Sequence, residues 1–255
     1  ASLHVIGKDI LRFHAIYWPA FLLAADVEPP TRIFSHGWIL SGEKKMSKSR
    51  GNILNPLEII KTYGIDELRY YLMKEVPHGS DGSISLKNLE NCINSDLANN
   101  YGNLCQRVFS FIKNNCGNKV SKRKNISDSD KKLMEQTKKL TKDLRNEMDK
   151  QNLNNYIKSV INISFLTNKY INDEEPWKLK KNNTEKMNNI LHIALEQIVK
   201  ISILLNPIIP EKSSKVLDAL NINTKLRNLA FLDGKNVIDD EIKIKKLDIL
   251  FKKTT

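Results

Sequence analysis

Residues Lys45-Met46-Ser47-Lys48-Ser49, followed by Arg50-Gly51-Asn52, hold the densest chemical information in this chain. Two lysines three positions apart sit in a short polar run, with Gly42 before it and Gly51 within it. A lysine ammonium is a compact point charge on a flexible stem. Glycines let such a run move, so both charges can close on a phosphate chain and stabilise negative charge as it develops there. The alternative for any Lys/Ser-rich stretch is a solvated basic loop. The rival phosphate loop, GxxxxGK[ST], does not occur in the sequence.

The elements that must position this run alternate between strand and helix. Residues 3–6 read as a strand. Residues 8–25 read as a helix with Phe13, Tyr17 and Phe21 at helical spacing, which Pro19 should kink or interrupt. Residues 33–40 read as the next strand, leading into the lysine run. Asn55-Pro56 opens a helix, Tyr63-Gly64 closes it, and residues 65–74 form another. Strand, helix, strand is the pattern of a parallel α/β sheet, here half of one.

Residues 77–82, Pro-His-Gly-Ser-Asp-Gly, mark a loop and a change of character. Beyond them the pattern predicts an all-helical bundle. A helix over 85–115 turns Leu89, Ile93, Leu97, Tyr101, Leu104, Val108, Phe111 and Ile112 inward. Ser127 caps a charged helix over 131–150. Helices follow over 154–172, over 186–205 with one strongly apolar side, and over 212–220, and Pro207 to Pro210 separate the last two. The expected division is therefore 1–78, 79–232 and a tail, 233–255.

The 255 residues suffice for one large or two ordinary domains, and 40% hydrophobic content suits a globular chain. Apolar runs read as too short to span a bilayer, so no membrane partner is expected. The first residues carry no leader pattern and resemble mid-strand, which predicts a chain that begins inside a larger protein. Three widely spaced cysteines, Cys92, Cys105 and Cys116, suit reduced thiols in a cytoplasmic protein better than a disulfide framework or metal knuckle. The net charge of +12 suggests a polyanionic partner such as nucleic acid, although a Lys- and Asn-heavy composition accounts for it equally well.

Several strings together resemble the methionyl-tRNA synthetase family of class I aminoacyl-tRNA synthetases. They are residues 4–14 (His-Val-Ile-Gly-Lys-Asp-Ile-Leu-Arg-Phe-His), Tyr17-Trp18-Pro19, His36-Gly37-Trp38, and the KMSKS run with Arg50-Gly51-Asn52. The likeness continues through Tyr63-Gly64-Ile65-Asp66, Leu68-Arg69-Tyr70-Tyr71-Leu72, Asp96-Leu97-Ala98-Asn99, Gly102-Asn103-Leu104 and Glu175-Pro176-Trp177, and is weak beyond about residue 180. KMSKS marks the class, whereas the Gly-Lys-Asp string with the distant Pro-Trp points to methionine. The resemblance implies the second half of a Rossmann-like catalytic domain followed by a helical anticodon-binding bundle. It implies ATP, with magnesium, methionine and tRNA(Met) as partners, and a monomer is the default oligomeric expectation. Other class I synthetases (Leu, Ile, Val, Cys) and a noncatalytic tRNA-binding module are the alternatives.

By the same resemblance Lys48 and Lys45 are the catalytic, ATP-contacting lysines. Met46, Ser47 and Ser49 complete the motif, and Ser47, His36 and Gly37 lie at the ATP. Asp9 would hold the methionine ammonium, although an acid beginning a helix also offsets its macrodipole. Phe13, His14 and Trp18 would line the methionine side chain, although an aromatic row at this spacing is more often core. Aromatic rings do suit a thioether sulfur. Asn99, Asn103 and Arg107, at i, i+4 and i+8, form a polar stripe that would read the anticodon. Trp177, in a polar loop, would stack on its first base. No metal ligand is expected in this chain. Zinc would belong to upstream segments, together with the His-x-Gly-His element, so the 255 residues alone are expected to be inactive. The family's Pro-Phe-Gly becomes Pro77-His78-Gly79, and its Asp-Phe pair becomes Ser83-Ile84.

Overall fold

Leu3–Gly7 (β1) pairs in parallel with Arg32–His36 (β2), in register from Leu3 opposite Arg32 to Gly7 opposite His36. A parallel pair needs a crossover, and residues 8–24 supply it as a helix of changing pitch. A 3-10 turn over Lys8–Ile10 leads to a π-type turn over Phe13–Tyr17, where the Trp18 amide donates to the Phe13 carbonyl, and then to Trp18–Ala24 (α1). Pro19 does not break the segment. It occupies the first turn of α1, where its missing N–H is not needed, and the irregularity moves to the wider turn before it. The structure is a computed structural model and describes residues 2–42, 44–45, 54–232, 238 and 241–254, with backbone alone for 44–45.

The single strand expected over 33–40 is two. β2 ends at His36, and Ile39–Ser41 (β3) belongs to another sheet, between Lys44–Lys45 (β4, antiparallel) and Gly82–Ile84 (β5, parallel). The break is steric. A Cβ on Gly37 would lie 2.1 Å from the Ser80 carbonyl, so the 77–81 loop crosses directly against this backbone. Trp38 N–H donates to Asp81 Oδ1 at 2.8 Å, and Gly82 N–H donates to the Trp38 carbonyl at 2.9 Å.

Pro56–Tyr63 (α2) starts at Asn55, whose side chain accepts from Leu57 N–H at 3.0 Å. Gly64, at φ 112°, takes a turn that other residues rarely adopt, and Ile65–Glu75 (α3) follows. The α3 helix is anchored on the helical region. Asp66 Oδ2 accepts the Lys212 amide at 2.7 Å, and Arg69 donates to the carbonyls of Ile208 (2.9 Å) and Pro207 (2.8 Å). Tyr70 OH and Lys74 Nζ both reach Asp96 Oδ2, at 2.8 and 2.7 Å.

Leu86–Cys92 (α4), a π-type segment over Ile93–Gly102, and Asn103–Asn115 (α5) form one rod. Seven of its eight expected core residues are buried. Phe111 is half-buried, and Phe109 takes the interior place instead. After Lys119–Val120 (β6) comes Asp128–Lys142 (α6), opened by a capping box between Ser127 and Asp130. The helix expected over 131–150 divides at Asp143, giving Leu144–Asp149 (α7). Leu153–Glu174 (α8), Pro176–Leu179 (α9), Thr184–Leu205 (α10), Pro210–Ala219 (α11) and Leu229–Leu232 (α12) complete the helices. The α10 helix is buried on every side rather than one, with Ile190 to Leu205 almost continuously interior. It is long and apolar enough to cross a membrane, against the reading of the sequence, but 89% of its apolar window lies inside the fold, as befits a core helix. The region is not wholly helical either. Besides β5, Ile242–Lys243 (β7) pairs antiparallel with β6, and Phe251 packs near Tyr101 at 6.2 Å.

Asp66 and Glu67 are buried, and desolvation raises both pKa values above the ordinary carboxylate range. The folded chain therefore holds these protons to higher pH than the unfolded chain, and stability falls as pH rises through the folded values. The double substitution Asp66→Asn/Glu67→Gln removes this term. Its stability relative to the parent should improve as pH rises from about 4 toward 7, read by urea unfolding at each pH.

Candidate catalytic and anticodon-reading sites

The parallel register of β1 and β2 brings the C-terminal ends of both strands together, the place where open α/β sheets bind ligands. Gly7 lies opposite His36, and the Lys8-Asp9 turn lies beside His36-Gly37. A Cβ on Gly7 would come 2.5 Å from Asp9 Oδ1 and 3.8 Å from His36 Cε1, so the Asp9 carboxylate and the His36 ring flank the same glycine. Asp9 and His36 are exposed and Gly37 is buried. His36 Nδ1 lies 3.0 Å from the Gly37 carbonyl. Across the strand end, His78 stacks on Phe34 with centroids 5.4 Å apart, and burial, then the neighbouring His36, lower its pKa.

The crossover helix sorts the aromatic row into two groups. Trp18 is half-buried and meets His4 edge-on at 4.8 Å and His14 at 6.0 Å. A cleft of about 400 Å³ opens beside His4 and Trp18, walled by Leu22, Val27, Pro29 and Pro30. Phe13 does not join them. It is 60% exposed and pairs with Tyr17 at 5.7 Å on the outer face. Neither group is core. His4 carries no motif signal of its own, although its alternation with buried Ile6 along β1 places both on one face.

β3 and β4 form the antiparallel pair that carries the chain out to the lysine run, with Leu40 opposite Lys45. The backbone of Lys45 is placed there; Met46, Ser47, Lys48 and Ser49 lie outside the described residues. Among those described, no group of three or more His, Cys, Asp or Glu residues is arranged to hold a metal ion.

On the long rod, Asn99 and Asn103 are exposed and Arg107 is half-buried. Arg107 Nη2 donates to Asn172 Oδ1 on α8 at 2.7 Å, and its guanidinium lies 5.8 Å from the Trp177 ring centroid. Trp177 sits on the short α9 helix, not in a loop, and remains 43% exposed. Glu175, at φ 44°, terminates α8 and begins this turn. The structure therefore joins Arg107 and Trp177, residues 70 positions apart by number, into one amphipathic platform with a face open to solvent. The partner Asn172 carried no sequence signal beyond a place near the end of a helix.

Residues 1–109 match the family model of class I (M) tRNA synthetases, and residues 120–255 match that of the anticodon binding domain of methionyl tRNA ligase. The chain belongs to the methionyl-tRNA synthetase family. It comprises part of a class I catalytic domain followed by the helical anticodon-binding domain. It is 41% identical to methionine–tRNA ligase of Brucella suis over 230 residues, which is 90% of this chain and 45% of the relative. It is 40% identical to the Rickettsia felis enzyme over 252 residues, 95% of this chain and 49% of the relative. The fold matches Mycobacterium tuberculosis methionyl-tRNA synthetase bound by methionyl-adenylate with a TM-score of 0.92 at 36% identity, covering 99% of this chain and 50% of that one. The free form of the same enzyme matches at 0.91 and 32% identity, covering 100% and 50%. The chain thus spans about half the length of the curated relatives it matches.

The close approach at Gly37 has a direct test. Gly37→Ala drives a methyl into the Ser80 backbone, so it should destabilise the chain by about 1–3 kcal/mol and loosen the 77–81 loop. Thermal unfolding and amide exchange of Gly82 N–H measure the two effects.

Proposed function

We propose that the protein containing this chain is a methionine–tRNA ligase. A carboxylate oxygen of methionine attacks the α-phosphorus of ATP; the new P–O bond forms as the bond to the β-phosphate bridging oxygen breaks, and pyrophosphate leaves. A ribose hydroxyl at the tRNA(Met) end then attacks the carbonyl carbon of methionyl-adenylate, and AMP departs. Charge moves onto phosphate in the first step, so the protein's work is positioning and electrostatic stabilisation. The observation that carries this reading is the convergence of Lys8-Asp9, His36-Gly37 and the β3–β4 pair at one strand end, within a chain of this family.

Lys48 and Lys45 supply cations for the leaving phosphates, with Ser47 and Met46 and Ser49 shaping their loop. His36 and Gly37 border the adenosine. Asp9 pairs with the substrate ammonium, and His14 and Trp18, joined by His4, face its thioether. Phe13, exposed beside Tyr17, stands apart from this wall. Magnesium fits as a companion of the nucleotide, because this ion keeps waters and uses substrate phosphates as ligands. Three free thiols, two of them buried, support a cytoplasmic setting. We place the boundary between the catalytic and anticodon-binding parts in the 77–82 loop, with residues 233–255 as a tail, of which Ile242–Lys243 and Phe251 pack on the helical region.

At the other end, Asn99, Asn103 and Arg107 present amides and a guanidinium to base edges and phosphate, and Trp177 offers a ring to the first anticodon base. Arg107 is held by Asn172 and so enters this surface already oriented.

Two measurements test the reading. Lys48→Ala in the full-length enzyme should lower methionine-dependent pyrophosphate exchange about 100- to 1,000-fold; exchange driven by leucine but not methionine would sink the assignment. Trp177→Ala should weaken tRNA(Met) affinity by about 1–3 kcal/mol while leaving pyrophosphate exchange intact. Filter binding at fixed salt reads the first effect, and unchanged affinity removes the anticodon role.

A further inference from the structure

We infer that Asp81 is a positioning residue that locks the amino-acid side of the catalytic centre to the hairpin carrying the lysine run. This rests on the proposed function and goes beyond it, since Asp81 has no part in the chemistry described above and Lys8 enters it only as the neighbour of Asp9. The two sheets of the α/β part, β1–β2 and β4–β3–β5, share no strand. The chain passes from one to the other through Gly37-Trp38. Asp81 Oδ1 spans the same gap from outside the chain path. It accepts the Trp38 amide at 2.8 Å, at the entry to β3, and it pairs with Lys8 Nζ, at the exit of β1. Lys8 precedes Asp9, and β3 pairs with β4, which ends at Lys45. One carboxylate oxygen therefore sets the turn that carries Asp9 against the strand that pairs with β4.

The remaining contacts show why this link is geometric in value. The 77–82 loop is already held on the protein by the β3–β5 pairing, by the Gly82–Trp38 hydrogen bond and by its seat on Gly37. The Lys8 and Asp81 side chains are 41% and 38% exposed, and ion pairs so accessible to water add little to stability. Loss of the pair should leave the fold intact and release the angle between the two sheets. A catalytic arrangement displaced by about 1 Å loses roughly 100-fold in rate without losing its binding groups.

The test uses the full-length enzyme and four variants: Asp81→Asn, Lys8→Met, the double variant, and Lys8→Arg. Asp81→Asn keeps an oxygen for the Trp38 amide and removes the charge. We expect Asp81→Asn and Lys8→Met each to lower kcat for methionine-dependent pyrophosphate exchange about 10- to 100-fold, with KM for methionine and ATP and the melting temperature nearly unchanged. The double variant should be no slower than either single one, because both remove the same link. Lys8→Arg, which keeps the pair, should retain most of the parent rate. An active parent with unaffected single variants overturns the assignment. So do additive losses, a rise in KM alone, or a rate loss matched by a loss of folded protein. A parent without methionine-dependent exchange overturns the proposed function and this assignment with it.

Discussion

A helix that is apolar on every side must be covered on every side, and α10 imposes that constraint on the rest of this molecule. Its 22 residues run through the centre of the helical region, with α8, α5, α9, α11 and α12 packed around them. Three of the buried polar residues on α10, Asn189, Glu196 and Ser202, tie those neighbours to it, since a buried polar group is costly without a partner. Ser202 meets Tyr101 of the long rod at 2.7 Å. Glu196 takes Arg123 at 2.7 Å, and burial still raises its pKa. Asn189 accepts the Lys124 amide and donates to the Asn125 carbonyl, which fixes the segment leading into α6. Apolar burial supplies the driving force, and these pairs select one arrangement of the covering elements.

The same core reaches the α/β part through α3. Tyr70 and Tyr71 are buried in one hydrophobic cluster with the α8 and α10 side chains. Around them lies a ring of polar ties: Asp66 and Arg69 on the α10–α11 turn, Tyr70 and Lys74 on Asp96, and Asn154 of α8 on the carbonyls of Lys74 and Val76. The Gly-Ile-Asp-x-Leu-Arg-Tyr-Tyr string is thus a docking surface between the two halves. The shared interior takes in α3, β5 and the helices that carry the Arg107–Trp177 platform, and the β1–β2 strand ends lie outside it.

Local patterns were legible where local forces decide. Asn55-Pro56, Ser127 and Tyr63-Gly64 each marked a helix end, although the helix after Ser127 starts at Asp128 rather than Lys131, because capping and glycine geometry act within a few residues. The strand at β1 and the inward face of the long rod followed from periodicity alone. Errors arose where a distant segment intervenes. Residues 33–40 read as one strand because nothing in their own sequence reveals the 77–81 loop pressed on Gly37. Phe109 lies inside and Phe111 at the margin because the buried face of α5 centres on Leu104, Cys105, Val108 and Ile112, and only its neighbours in the fold set which flank of that face is covered. The segment around Trp177 reads as a loop because a four-residue helix is too short to show a period.

The sequence by itself determined the family, the order of an α/β part before a helical part, and the residue types suited to phosphate, ammonium and base recognition. Those are properties of strings and spacings, written locally. Only the tertiary structure decided which of them meet. It turned Trp18 toward His4 and His14 while leaving Phe13 on the outer face, and it set Arg107 between Asn172 and Trp177. It also joined Lys8 to Asp81 across 73 residues. Such pairings depend on how helices and sheets pack around a shared core, and side-chain neighbours that far apart in sequence leave no periodic or compositional trace.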